Sequence, residues 1–109
     1  MKNIILIGFM GSGKTTIGKI ISDKKNMRFI DMDLEIEKME NKKINQIFSE
    51  NGEKYFREKE SSLLKQLCSL KNSVISTGGG IIENEFNIEI LKKQPYVIWL
   101  DANEDTIEN

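Results

Sequence analysis

Gly8, Gly13, Lys14 and Thr15 stand at the spacing G-x-x-x-x-G-K-[ST] inside GFMGSGKTTIG, residues 8–18. Glycines at these places let successive backbone N–H groups curl around a phosphate without a Cβ in the way. A helix beginning near Lys14 adds its positive dipole end. The lysine reaches β- and γ-phosphates, and the threonine hydroxyl ligates Mg²⁺. Gly11, Ser12, Gly13, Lys14, Thr15 and Thr16 are therefore the candidate contacts to a nucleotide triphosphate.

Three further segments bear on what receives the phosphate. In FIDMD, residues 29–33, Asp31 and Asp33 are two apart and share a face if the strand end is extended. One would help hold Mg²⁺ and the other accept a hydroxyl proton; the plainer reading is that Asp33 caps the next helix. In IFSENGEKYFREKE, residues 47–60, Arg57 and Glu60 are three apart on one helix and can pair. Glu60 shares the stripe of Phe56, Leu63, Leu64 and Leu67, so it should point inward and need a partner. A guanidinium held by a carboxylate is a fork for a substrate carboxylate; the alternative is a surface ion pair. In TGGG, residues 77–80, Gly78, Gly79 and Gly80 would let a ligand lie against backbone, or would merely form a flexible loop.

These segments need positioning. Residues 3–7, 28–31, 73–76 and 96–100 read as strands, the last (YVIWL) as one buried on both faces. Residues 14–25 read as a helix with Ile17, Ile20 and Ile21 on one face. Residues 33–41, 43–50, 52–71 and 84–93 complete the helices. Strands alternating with helices predict an α/β fold, a parallel sheet flanked by helices on both sides. Ligands on such sheets sit at the carboxyl ends of the strands. The glycine loop, the Asp pair and TGGG each follow a strand and so converge on one edge.

The 109 residues allow one small domain, residues 1–109. Sixteen basic and 17 acidic side chains leave a net charge of −1, which argues against general affinity for nucleic acid or anionic membrane. The apolar run near the N-terminus is short and has no cleavage site, and no run reaches ~18 apolar residues. With a single cysteine, Cys68, no intrachain disulfide forms, and a cytoplasmic location is expected. Cys68 lies in a helical apolar pattern, and the chain has no histidine to activate it, so it reads as core filler.

GFMGSGKTTIGK, FIDMD, IF…GE…FR..E, STGGG and VIWLDA occur in an order and spacing that closely resemble shikimate kinases, small P-loop kinases akin to nucleoside monophosphate kinases. The loop alone is widespread; the set is far more specific. The resemblance implies ATP-dependent phosphorylation of the shikimate 3-hydroxyl, giving 3-phosphoshikimate in aromatic amino acid biosynthesis. It implies Lys14 on phosphate, Thr15 and Asp31 on Mg²⁺, and Asp33 as base on the reacting hydroxyl. Arg57 would clamp the substrate carboxylate with Glu60 in support, and Gly78, Gly79 and Gly80 would line the ring. The implied three-layer P-loop fold has strand order 2-3-1-4-5.

The resemblance also implies that the family's lid arginine, fifth strand, second carboxylate-binding arginine and adenine loop lie past residue 109. Asp101 or Asn103, with Glu104 and Asp105, reads as the start of a helix with few residues to follow. The expectation is a domain incomplete at its C-terminus, with strand 96–100 as an exposed edge open to self-association. The alternative to an active kinase is a nucleotide- or shikimate-binding unit, weak or inactive alone.

Overall fold

The computed structural model describes residues 2–8 and 13–100. Gly11 and Ser12, and the helix start expected at 101–105, lie outside the described residues. Four strands, β1 (Ile4–Gly8), β2 (Arg28–Asp31), β3 (Ser73–Ser76) and β4 (Val97–Leu100), form one sheet in the order β2-β3-β1-β4. All three pairings are parallel, as expected for strands linked through helices. The helices are α1 (Lys14–Lys25), α2 (Met32–Glu40), α3 (Ile44–Asn51), α4 (Glu53–Leu67) and α5 (Glu85–Lys92). A short 3₁₀ turn, Ile81–Glu83, precedes α5.

Successive strand residues face opposite ways, and each face has its own core. Ile5, Ile7, Ile30 and Ile75 pack with Met32, Ile36, Ile47, Phe56, Leu64 and Leu91 from helices α2 to α5. Leu6 and Val74, with Phe29 and Ile4 at the margin, pack on the other face with Ile21 of α1. Two cores on two faces make the three-layer α/β/α arrangement. Asn3 ties its far end together: its amide donates to the carbonyls of Leu67 and Leu70, and its carbonyl accepts from Ser73 N.

Helix α1 departs from the expected isoleucine face. Its buried residues are Lys14, Gly18 and Ser22, four apart, while Ile20 is half exposed. The helix lies so close to the sheet that only small side chains fit the contact line. A methyl group at Gly18 would fall 2.4 Å from the Phe29 ring and 3.2 Å from Leu6. Gly18→Ala gains about 1 kcal/mol of helix propensity but meets overpacking of about 1–3 kcal/mol. Urea denaturation is expected to show a net loss of stability; a gain would mean that α1 can slide outward freely.

Two other expectations are corrected. The apolar run of β4 is not covered on both faces as its composition suggested but lies at the sheet edge, as the strand order implied: Ile98 and Trp99, which point opposite ways, are 38% and 49% exposed. Among the described residues β4 pairs only with β1, so neither face has a second strand beside it to carry helices across. Helix α4 stops at Leu67, not 71, where Ser69 and Leu70 turn back to bond the carbonyls of Gln66 and Leu67. The inward stripe of α4 is as read: Phe56, Glu60, Leu63, Leu64 and Leu67 are all buried. Cys68 follows it half-buried, and burial pushes its thiol up to about 11, which leaves little nucleophilic thiolate.

Candidate active site

Strand β1 ends at Gly8, and Gly13 caps α1 in a left-handed conformation (φ 88°). Among the described residues nothing lies within 4 Å of the position of a Cβ there, and the backbone angle alone already favours glycine. Lys14 is buried at the first position of α1, and its Nζ donates to the Gly8 carbonyl at 2.8 Å across the loop. Burial lowers its pKa, against the pull of Asp33 and then Asp31.

Asp31 and Asp33 both line a cavity beside Lys14 and Thr15, but not by strand alternation. Asp31 closes β2, and Asp33 already lies in the first turn of α2. The helix cap is Asp31, whose Oδ1 accepts from Leu34 N at 3.2 Å, so the capping role expected for Asp33 falls to its neighbour. Among the described residues no hydrogen bond or ion pair engages the Asp33 carboxylate, which lines the cavity. Burial raises its pKa first and the Asp31 charge second, while Lys14 and Arg57 pull it back. Lys14, Thr15, Asp31, Asp33, Ser76, Thr77 and Gly79 line one polar cavity of about 150 Å³ at the carboxyl ends of β1, β2 and β3. Thr16 is exposed and does not line it.

Arg57 and Glu60 form the pair expected of their spacing, with Nη1 donating to Oε1 at 3.1 Å. Glu60 is only 1% exposed. Burial pushes its carboxyl up, and Arg57 opposes that through its hydrogen bond and charge. Burial also bears on Arg57, but its contacts with Glu60 and Glu53 outweigh it and hold the guanidinium charged.

The three glycines seat these groups. A methyl at Gly78 would lie 2.8 Å from Asp33 Oδ1 and 3.0 Å from Glu60 Oε2. One at Gly80 would lie 2.6 Å from Arg57 Nη1 and 2.8 Å from Nη2. Gly78 and Gly80 thus lie against the protein's own charged side chains, and Gly79 is exposed at the cavity. The loop is pinned, not loose. Thr77 donates both its N–H and its hydroxyl to the Leu6 carbonyl, at 3.1 and 2.8 Å.

Thr77 lies at the cavity with the TGGG segment that was expected there, while sequence reasoning missed Ser76, a polar strand end just before that segment. It also missed Glu53, which meets Arg57 Nε at 3.4 Å; its i,i+4 spacing was the signal. No cluster of three acidic, histidine or cysteine side chains that would hold a metal occurs among the described residues. Mg²⁺ commonly takes one or two protein oxygens besides phosphate and water, and Thr15 with Asp31 at one cavity suits that pattern. No helix among the described residues is long and apolar enough to cross a membrane.

The shikimate kinase family profile matches residues 10–109. The shikimate kinase of Persephonella marina is 49% identical over 107 residues, covering 98% of this chain and 65% of the relative. That of Staphylococcus aureus is 51% identical over 104 residues, covering 95% of this chain and 59% of the relative. The chain thus spans about three fifths of the length of the curated relatives it matches. Among solved structures, the shikimate kinase of Acinetobacter baumannii in complex with shikimate superposes with a TM-score of 0.89 at 41% identity, covering 92% of this chain and 56% of that one. That of Aquifex aeolicus gives 0.86 at 44% identity, covering 91% and 59%. With nearly the whole sequence matched at this identity and the sheet superposed, the chain belongs to the shikimate kinase family.

Proposed function

We propose that this chain carries the catalytic half-site of a cytoplasmic ATP:shikimate 3-phosphotransferase. The observation that carries the reading is one cavity edge bearing phosphate-, base- and carboxylate-binding groups together: Lys14 and Asp33 in the cavity, and Arg57 against Gly80. Gly11, Ser12, Gly13, Lys14, Thr15 and Thr16 would take the phosphates of ATP. Thr15 and Asp31 would hold Mg²⁺, which when bound neutralises charge on the β- and γ-phosphates. Arg57 would fix the shikimate carboxylate, and the backbone of Gly78, Gly79 and Gly80 the ring.

Asp33 would accept the proton of the 3-hydroxyl as its oxygen bonds to the γ-phosphorus. The bond from that phosphorus to the β–γ bridging oxygen breaks, and ADP leaves. The raised pKa of Asp33 makes it a better base than an ordinary carboxylate. Lys14 would stabilise charge on the transferring group, so catalysis is mostly positioning and electrostatics.

The test is calorimetric titration with shikimate and separately with MgATP, with ADP measured in the same samples. Binding of both with shikimate-dependent ADP formation is the expected result. Absence of binding by either overturns the reading. Binding without ADP supports a second reading, a binding unit that needs a partner. The exposed Ile98 and Trp99 of β4 favour that reading, and the same edge would serve self-association.

A further inference from the structure

Arg57 presents two edges able to take both oxygens of a carboxylate, one made by Nε–H with Nη2 and the other by Nη1 with Nη2. Neither is clear. Glu60 takes a hydrogen of Nη1 at 3.1 Å, and Glu53 takes the Nε hydrogen at 3.4 Å. The guanidinium also lies against Gly80, which blocks retreat on that side. Glu83 adds a more distant negative charge. A carboxylate that takes the Nε–Nη2 edge with both oxygens must therefore displace Glu53, because Nε has only one hydrogen to give. The two acids differ sharply. Glu60 is 1% exposed and has no water to move into, whereas the Glu53 side chain is 66% exposed in the first turn of α4. Its contact is the longer one, and rotation carries its charge into solvent at little cost.

We propose that Glu53 is a displaceable counter-ion for Arg57. It covers the Nε edge until a substrate carboxylate takes its place, and so sets the affinity and selectivity of that subsite. The proposal rests on the kinase reading above and deepens it. Glu60 holds the arginine in place, and Glu53 sets what must be overcome to reach it. A simple anion offers Arg57 no more than Glu53 does. A carboxylate attached to a hydroxylated ring gains further contacts at the glycine loop and wins the exchange.

The experiment is titration of the wild-type chain, Glu53→Gln and Glu53→Asp with shikimate and with its methyl ester, at low and high salt. Removing an exposed ion pair is worth a few-fold, so Glu53→Gln is expected to bind shikimate about two- to five-fold more tightly. The gain should shrink in high salt and be absent for the ester, which has no carboxylate charge. Glu53→Asp keeps the acid at the start of α4 but is one methylene too short, so it should also tighten binding. A structural defect would weaken binding, so the direction of the change separates the two roles. Unchanged or weaker shikimate binding in both variants, or an equal gain for the ester, overturns the proposal while leaving the kinase reading intact. Shikimate binding by none of the three proteins overturns that reading and the proposal with it.

Discussion

Asp33→Asn is expected to slow shikimate-dependent ADP formation by about 10²–10⁴ and, at the same time, to make the chain harder to unfold above neutral pH. The first effect follows from losing the proton acceptor. The second follows from linkage. Burial and the Asp31 charge raise the Asp33 pKa against the pull of Lys14 and Arg57, so the folded state holds its proton more tightly than the unfolded state does. Between the ordinary carboxylate value near 4 and the raised folded value, stability falls as pH rises. Above the folded value the full cost is present. Asparagine keeps the shape and removes the charge, so that decline is reduced. Lys14 loses an attractive neighbour in the variant, which offsets part of the gain. Urea midpoints at about pH 4 and about pH 8, with initial rates, check both halves. A variant less stable than wild type at the higher pH would mean that the Lys14 attraction outweighs burial. An undiminished rate would remove Asp33 from the base role.

The strand positions and the inward stripe of α4 were legible because burial leaves a period in the sequence. Phe56, Glu60, Leu63, Leu64 and Leu67 repeat at helical spacing, and all five are buried. Glu60 was the informative member, since an acid on an apolar stripe demands a partner, and Arg57 is that partner. Helix α1 was misread because a close helix–sheet contact selects small residues. Gly18 and Ser22 do not register as hydrophobic, while Ile20 does and is half exposed. For the Asp pair, spacing showed that Asp31 and Asp33 belong together and the strand ends at residue 31 as read, but the helix start was read one residue late. The helix begins at Met32, and that one boundary exchanged their capping roles. The triple glycine announced a close approach without naming what approaches. At Gly78 and Gly80 it is the protein's own Asp33, Glu60 and Arg57, a relation between residues tens of positions apart that no local pattern encodes.

Gly80→Ala should separate the acceptor subsite from the nucleotide subsite. Alanine suits the backbone there, since φ is −101°, so strain comes only from the methyl group. That group would lie 2.6 Å from Arg57 Nη1, 2.8 Å from Nη2 and 2.9 Å from Cζ. These atoms end a long flexible side chain, so the guanidinium moves and the sheet does not. Its displacement takes the fork out of line with a substrate carboxylate. Charge-assisted hydrogen bonds are worth about 1.5–3 kcal/mol, so shikimate affinity is expected to fall by roughly 10- to 100-fold. MgATP affinity should hold, because Lys14 and Thr15 line the cavity beside Gly79, whereas the added methyl meets Arg57 first. A second consequence concerns Glu60, whose buried carboxylate has Arg57 as its hydrogen-bond donor. Loosening that contact lifts the Glu60 pKa further, so the variant's stability deficit should widen as pH rises through the carboxylate range. Titrations with each ligand, paired with unfolding curves across pH, read both consequences. Equal losses for the two ligands would mean that the methyl disturbs the glycine loop as a whole. Unchanged shikimate affinity would mean that Arg57 binds no carboxylate from its seat on Gly80.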